Sequence, residues 1–192
     1  KIINKTLCVI PARGGSKSIK RKNLVDLNGK PLIYYTLSVI KKFNKTMDII
    51  VSTDDKEIKD YSESLGIRVP FIRPTKLSND TALSIDVLKH SIKFMESIEA
   101  KKYDDILMLQ PTSPLRNEKH IKECLKLFKK NKVNSLVSIV NVGAHHPLRM
   151  KIIRKNKVTN FIDQGFEDMR PRQHLPDVYI RNGAIYLSKR DL

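Results

Sequence analysis

Short apolar runs bounded by turn residues alternate along this chain with stretches whose apolar positions recur at helical spacing. Such alternation favours stacked βαβ units, an α/β architecture. The runs predict strands over residues 6–10, 48–52, 68–72, 105–109, 135–140 and 184–187. A helix over 31–41 opens on Pro31, a residue suited to a first helical turn. A second, over 54–65, stops at Gly66 as its C-cap. A third, over 84–98, sets Ile85, Leu88, Ile92 and Met95 on one face, and the next helix does the same with Ile121, Leu125 and Phe128. These stripes read as core. Neither an internal repeat nor a low-complexity segment interrupts the pattern.

The pattern changes between about residues 145 and 179. Two short alternating stretches, 150–154 and 158–162, flank Lys155-Asn156-Lys157 and predict a β-hairpin. A passage rich in proline and arginine then leads back to the sheet. An excursion of this length is more often functional, or an interaction arm, than an idle connection.

With 192 residues the chain suits a single domain, 1–192, large enough to bury a core. It has no apolar stretch of membrane-spanning length and no signal-peptide core, so a soluble cytoplasmic protein with no membrane partner is expected. Cys8 falls in a strand and Cys124 in a helix; with no C-x-x-C and no Cys/His cluster, two reduced buried cysteines are expected. Thirty-seven basic against 20 acidic residues leave a net charge of +17, a value that invites a nucleic-acid reading. The lysines, however, are scattered over helix faces, as in Lys41-Lys42 and Lys129-Lys130, without interleaved aromatics. Solvated surface, with a smaller group focusing field on an anionic substrate, is the better reading, and no nucleic-acid partner is expected.

The densest chemistry runs from Val9-Ile10-Pro11-Ala12-Arg13-Gly14-Gly15-Ser16-Lys17 to Arg21-Lys22-Asn23. An apolar strand breaks at Pro11 into a loop holding two glycines, a serine and the cations Arg13, Lys17, Lys20, Arg21 and Lys22. Glycine lets backbone approach a ligand closely, and successive N–H groups in such a turn form an anion-binding nest. Nest and cations together suit a polyphosphate. The loop is neither a Walker loop nor a G-x-G-x-x-G dinucleotide fingerprint. An ordinary basic surface loop is the competing interpretation.

Three segments in order, Ile10–Lys17 with Lys22-Asn23-Leu24, Leu109-Gln110-Pro111-Thr112-Ser113-Pro114-Leu115-Arg116, and Arg170-Pro171-Arg172-Gln173-His174-Leu175-Pro176 with Asn182-Gly183-Ala184-Ile185-Tyr186, resemble the signatures of the N-acylneuraminate (sialic acid) cytidylyltransferases. They span nearly the whole chain. The resemblance implies a Rossmann-like, mixed but mostly parallel sheet of the nucleotide-diphospho-sugar transferase type, with a small hairpin arm over about 145–179. It implies that this arm supports a homodimer and reaches over the neighbouring subunit's site. The implied reaction is attack of a keto sugar acid's anomeric hydroxyl on the α-phosphorus of CTP, releasing pyrophosphate. Chemistry of that kind depends mostly on positioning and electrostatic stabilisation.

On this resemblance the nucleotide falls to Ala12, Arg13, Gly14, Gly15, Lys17, Lys22 and Asn23, with Arg13 and Lys17 as the catalytic cations. Lys20 and Arg21 match no family position and read as solvated. Arg73, Asn79 and Asp80 resemble the base-recognising segment, with Asn79 standing where the family usually has serine. Asp80 and Thr81 equally suit the N-cap of the helix that follows. Gln110 matches a residue that contacts the acyl sugar; Arg116 either binds the sugar or pairs with a surface acid. Arg149 and Arg172 are implied anion partners of the sugar's carboxylate, and Asn182 and Tyr186 close its pocket. His145-His146 resembles a metal pair only superficially, since adjacent side chains point apart in a strand.

Family members carry a further segment with an Asp-x-Asp pair that holds Mg2+. This chain starts at Lys1 and ends at Leu192 before such a motif, so it is expected to be a portion of a longer protein with its metal ligands C-terminal to Leu192. Residues 1–192 alone are then expected to bind CTP weakly and turn over little. Asp54-Asp55 reads as a helix start. N-acetylneuraminate or a relative such as legionaminate is the expected sugar. The rivals are pseudaminate, the eight-carbon acid Kdo, or a non-catalytic role in nucleotide or RNA binding.

Overall fold

The computed structural model describes residues 5–16 and 19–191. Its elements, in order, are β1 (Thr6–Pro11), β2 (Asp26–Leu27), β3 (Lys30–Pro31), α1 (Leu32–Ile40), β4 (Asp48–Ser52), α2 (Lys56–Ser64), α3 (Ser84–Glu99), β5 (Asp105–Met108), α4 (Glu118–Asn131), β6 (Ser135–Asn141), β7 (Lys151–Arg154), β8 (Lys157–Asn160) and β9 (Tyr179–Lys189). The chain divides into two compact units. One runs up to Ser138 and resumes at Gly183; the other is Ile139–Asn182.

The main sheet has the order β4-β1-β5-β9-β6. β1 pairs in parallel with both β4 and β5, whereas β9 is antiparallel to β5. Mixed pairing of this kind is the expected architecture. Strict alternation splits the central strands between two cores. Cys8, Ile10, Ile49, Val51, Leu107, Leu109, Ile185 and Leu187 face α1, α2 and α4, through Ile33, Leu37, Ile58, Ile121 and Phe128. Leu7, Val9, Ile50 and Ile106 face the other way, toward Met95 of α3 and Tyr103. A central strand buried on both faces reads as a continuous apolar run, which is why β1 stands out in the sequence.

Two expectations shift. Residues 68–72 form no strand: isolated bridges join Arg68 to Ile50 of β4 and Ile72 to Thr53 just beyond it. Pro70 lies between the two bridges and has no N–H to give a ladder. Leu88, Ile92 and Met95 of the predicted α3 stripe do pack on the second core, beside the buried Val87 and Ser91, but Ile85 is 42% exposed. The helix starts at the rim of a cavity, which Ser84 and Val87 help to line, so its first turn overhangs that space instead of the sheet. Gly66, at φ 77°, follows α2 as expected, and its N–H donates to the Glu63 carbonyl at 2.8 Å.

Within the second unit, β7 and β8 form the expected hairpin. Its turn is tighter than the sequence suggested: Arg154 pairs with Lys157, leaving Lys155 and Asn156 at φ 48° and 59°. Two successive positive φ values match the twist of a two-residue hairpin loop. Ile153 stands opposite Val158, and both are exposed, at 74% and 64%. Asp168 is nearly buried and bound by Arg170 through Nε and Nη2. Those hydrogen bonds hold its carboxyl down at about 2.

Candidate functional site

In an open α/β sheet, loops leaving the carboxyl ends of parallel strands build the ligand crevice. Here the loops after β1 and β5 and the segment joining α2 to α3 meet around a cavity of about 400 Å³ in the first unit. Arg13, Lys22, Asn23, Arg73, Asn79, Asp80 and Gln110 line it together with Pro111 and Thr112. Residues from three distant sequence segments thus converge on one space of substrate size.

The glycine loop is held from beneath. Ala12 is fully buried, and its N–H extends the sheet to the Ser52 carbonyl at 2.9 Å, so only its backbone is available to a ligand. The Gly14 N–H donates to Asp54 Oδ1 at 2.9 Å. A Cβ on Gly14 would lie 2.6 Å from Asp55 Oδ2, whereas one on Gly15 would meet nothing within 4 Å. The Asp55 carboxylate packed against Gly14 thus leaves no room for a side chain there. Asn23 is buried and donates through Nδ2 to the Arg13 carbonyl at 2.9 Å, which clamps the two ends of the loop together. Lys17 lies outside the described residues.

Arg21 is not simply solvated. At φ 52° it reaches Asp55 at 2.9 Å and Glu57 at 2.6 Å, tying the loop to the start of α2. Asp55 caps α2 as expected, accepting from the Ile58 N–H at 3.0 Å. Asp54 does something the sequence reading missed, since it anchors Gly14. Its place directly beyond the end of β4, where ligand loops gather, was the available signal.

Arg73 is 5% exposed. Its Nε donates to Ser52 Oγ at 3.1 Å, Nη1 to the Leu77 carbonyl at 3.4 Å, and Nη2 to the Ser52 carbonyl. Burial pushes its pKa down. The residue braces the wall that carries Asn79 and Asp80. Asn79 Oδ1 accepts from the Thr81 N–H and hydroxyl at 3.0 and 2.9 Å, shaping the turn. Asp80 pairs with Arg13 at 2.8 Å. The N-cap alternative for Asp80 and Thr81 fails, because α3 begins at Ser84 with Leu83 at its cap.

On the proposed sugar side, Gln110 follows β5 and lines the cavity, and its Oε1 would lie 2.9 Å from a Cβ on Gly183. Arg116 requires correction. It is 4% exposed and neither reaches the cavity lining nor pairs with an acid. Instead Nη1 donates to the carbonyls of Gln110 (3.2 Å) and Ala184 (2.6 Å), and Nη2 to Thr36 Oγ1 (2.6 Å). Tyr186 stands opposite Met108 in the β5–β9 pairing, on the sheet face away from Ile185 and Leu187, and is not among the residues lining the cavity.

Arg149, Arg172 and Asn182 belong to the second unit. Arg149 donates to the Arg170 carbonyl at 2.8 Å. Arg172 lines a separate cavity of about 330 Å³ with His146 and Asp177. His146 is buried, its Nε2 within 3.1 Å of the Pro176 carbonyl and its Nδ1 accepting from the Leu148 N–H at 3.2 Å. With both ring nitrogens engaged by backbone, it serves this unit's structure. Asn182 is exposed within β9.

No group of three or more His, Cys, Asp or Glu among the described residues is arranged to hold a metal ion. The carboxylates nearest the loop are already committed: Asp54 to Gly14, Asp55 to Arg21 and the α2 cap, Asp80 to Arg13.

The family described as Cytidylyltransferase matches residues 7–189. An N-acylneuraminate cytidylyltransferase of Streptococcus agalactiae serotype III is 35% identical, over 97% of this chain and 44% of its own length. A pseudaminic acid cytidylyltransferase of Campylobacter jejuni is 33% identical over 95% of this chain and 77% of its own. The chain thus spans less than half of the streptococcal relative. Among solved structures, a CMP:2-keto-3-deoxy-manno-octonic acid synthetase complexed with CTP superposes with a TM-score of 0.67 at 21% identity, covering 97% of this chain and 75% of that one. A 4-diphosphocytidyl-2C-methyl-D-erythritol synthase gives 0.66 at 14% identity, covering 98% and 76%. These two likenesses bear on the fold. Over nearly all of its length, this chain belongs to the cytidylyltransferase family.

Proposed function

We propose that this chain transfers CMP from CTP to the anomeric hydroxyl of a nine-carbon keto sugar acid, N-acetylneuraminate or a relative such as legionaminate. The hydroxyl oxygen attacks the α-phosphorus, the bond to the β-phosphate breaks, pyrophosphate leaves, and the hydroxyl proton is lost. One observation carries the reading: a single cavity gathers the cations Arg13 and Lys22, the amides Asn23 and Asn79, and Gln110. The cations suit the triphosphate, Arg13 as a planar fork and Lys22 as a point charge. Lys17 shares the phosphates on the strength of the sequence resemblance. Gln110 takes the sugar acid.

The Campylobacter relative keeps pseudaminate as the second reading, with Kdo behind it. We also infer a homodimer, supported by the apolar side chains that the second unit exposes, Ile153, Phe166 and Met169 among them at 62–81%. Arg149, Arg172 and Asn182 then meet the sugar acid from the neighbouring copy. Magnesium, if it serves this reaction, takes its acidic ligands from outside the described residues. No helix of the described residues is long and apolar enough to cross a membrane, which accords with a cytoplasmic reaction that draws on CTP.

Pyrophosphate release from CTP, measured with N-acetylneuraminate, legionaminate, pseudaminate and Kdo beside an RNA gel shift, tests the reading. Release with one of the nine-carbon acids is expected from a protein that also carries the metal's acidic ligands, and little from residues 1–192 alone. RNA retention without sugar-dependent release would overturn it.

A further inference from the structure

A buried arginine normally pairs with a carboxylate, because an unpaired buried charge is costly. Arg116 is 4% exposed, yet its hydrogen-bond partners are two carbonyls and a hydroxyl. Its Nε is buried without a hydrogen-bond partner. Burial pulls its pKa down to about 10. The sequence thus carries an expensive cation where an apolar residue would pack more cheaply, and its two carbonyl acceptors are informative. One belongs to Gln110, which lines the cavity. The other belongs to Ala184, immediately after Gly183, where a Cβ would come within 2.9 Å of the Gln110 side-chain oxygen. A single guanidinium nitrogen therefore holds both the backbone of Gln110 and the strand against which the Gln110 carboxamide lies.

We propose that Arg116 is a positioning residue that sets the carboxamide of Gln110 for the sugar acid, by fixing the loop after β5 to β9 at Gly183. The inference rests on the assignment of Gln110 to the sugar acid made above. A planar fork can reach Gln110, Ala184 and Thr36 together; a lysine ammonium on the same stem offers one nitrogen and cannot span all three.

Steady-state kinetics of Arg116→Lys, Gln110→Ala, the double variant and Gly183→Ala test the proposal, using the sugar acid best turned over by the unmodified protein. Arg116→Lys is expected to raise KM for the sugar acid about tenfold while KM for CTP moves less than about twofold, the scale of a lost positioning contact. In the Gln110→Ala background the same change should add less than about twofold, since coupled residues are not additive. Gly183→Ala, which crowds the Gln110 side-chain oxygen but also strains the backbone at φ 75°, should reproduce the split between the two KM values with Arg116 intact, and that split, not its Tm, decides the matter if Arg116→Lys does not fold. A lower Tm with both KM values unchanged, additive effects in the double variant, or a silent Gly183→Ala would each overturn the positioning role. A Gln110→Ala protein with unchanged sugar-acid KM would instead sink the Gln110 assignment, and this inference with it.

Discussion

Arg13 and Asp80 form an ion pair of 2.8 Å, and both residues line the cavity beyond β1 and β5. The guanidinium proposed to meet the triphosphate therefore already has an anion from its own chain. Both side chains are partly exposed, at 33% and 41%, so solvent screens the pair and its strength is modest. CTP would compete with Asp80 for Arg13. Asp80→Asn is expected to tighten CTP binding about two- to fivefold, the scale of a partly exposed ion pair, with a smaller gain at high salt. Calorimetric titration at two ionic strengths measures this. Weaker binding would place Asp80 on the nucleotide itself.

Arg13 should matter far more than its competitor. Arg13→Ala is expected to lower kcat/KM by about a hundredfold or more, the scale of losing one preorganised donor to developing charge. A loss under about threefold in pyrophosphate release, matched by one under about threefold in Lys17→Ala, would mean that this loop does not hold the triphosphate.

The two loop glycines should respond oppositely to a methyl group. Gly14→Ala forces a Cβ to within 2.6 Å of the Asp55 carboxylate, which also caps α2 and binds Arg21. A stability loss of about 1–3 kcal/mol is expected from such overpacking. Gly15→Ala meets open space and should stay within about 0.5 kcal/mol of the parent. Urea denaturation of both variants makes the comparison.

Acid should loosen the attachment between α3 and the residues that follow β9. Arg190 hydrogen-bonds Glu96 through Nε and Nη2 and lowers its carboxyl to about 2, from an ordinary value of 4.5. A carboxylate depressed in the folded state stabilises fully above its unfolded pKa and loses that contribution as pH falls through the folded one. The Tm gap between the parent and Glu96→Gln is thus expected to hold from neutral pH to about 4.5, then close toward about 2. A gap that stayed constant through that window would remove Glu96 from the linkage.

If the second unit of one copy serves the neighbour's cavity, mixing an Arg13→Ala chain with an Arg172→Ala chain should restore activity. Each mixed dimer would hold one intact composite site, an arrangement a two-fold dimer permits. No recovery after demonstrated subunit exchange would rule out a shared site.

Periodicity by itself determined the βαβ framework, the hairpin and the stripe in α4, because those patterns depend on neighbours a few residues apart. The places of Arg13, Lys22, Asn23 and Gln110 beside one cavity were legible too, the first three from cations and glycines directly after an apolar strand and Gln110 from its resemblance to a family segment. Only the tertiary structure decided what each charge touches. Arg116 looks like any loop arginine until Thr36 and Ala184, far away in sequence, enclose it. Asp54 reads as part of a helix start until Gly14 arrives from the loop after β1. The exposed first turn of α3 also escaped the pattern, because a helix stripe does not say where the sheet beneath it ends and a cavity begins. Local sequence sets which conformations are cheap, whereas partners for buried polar groups are set by long-range packing, which one chain's spacing does not encode.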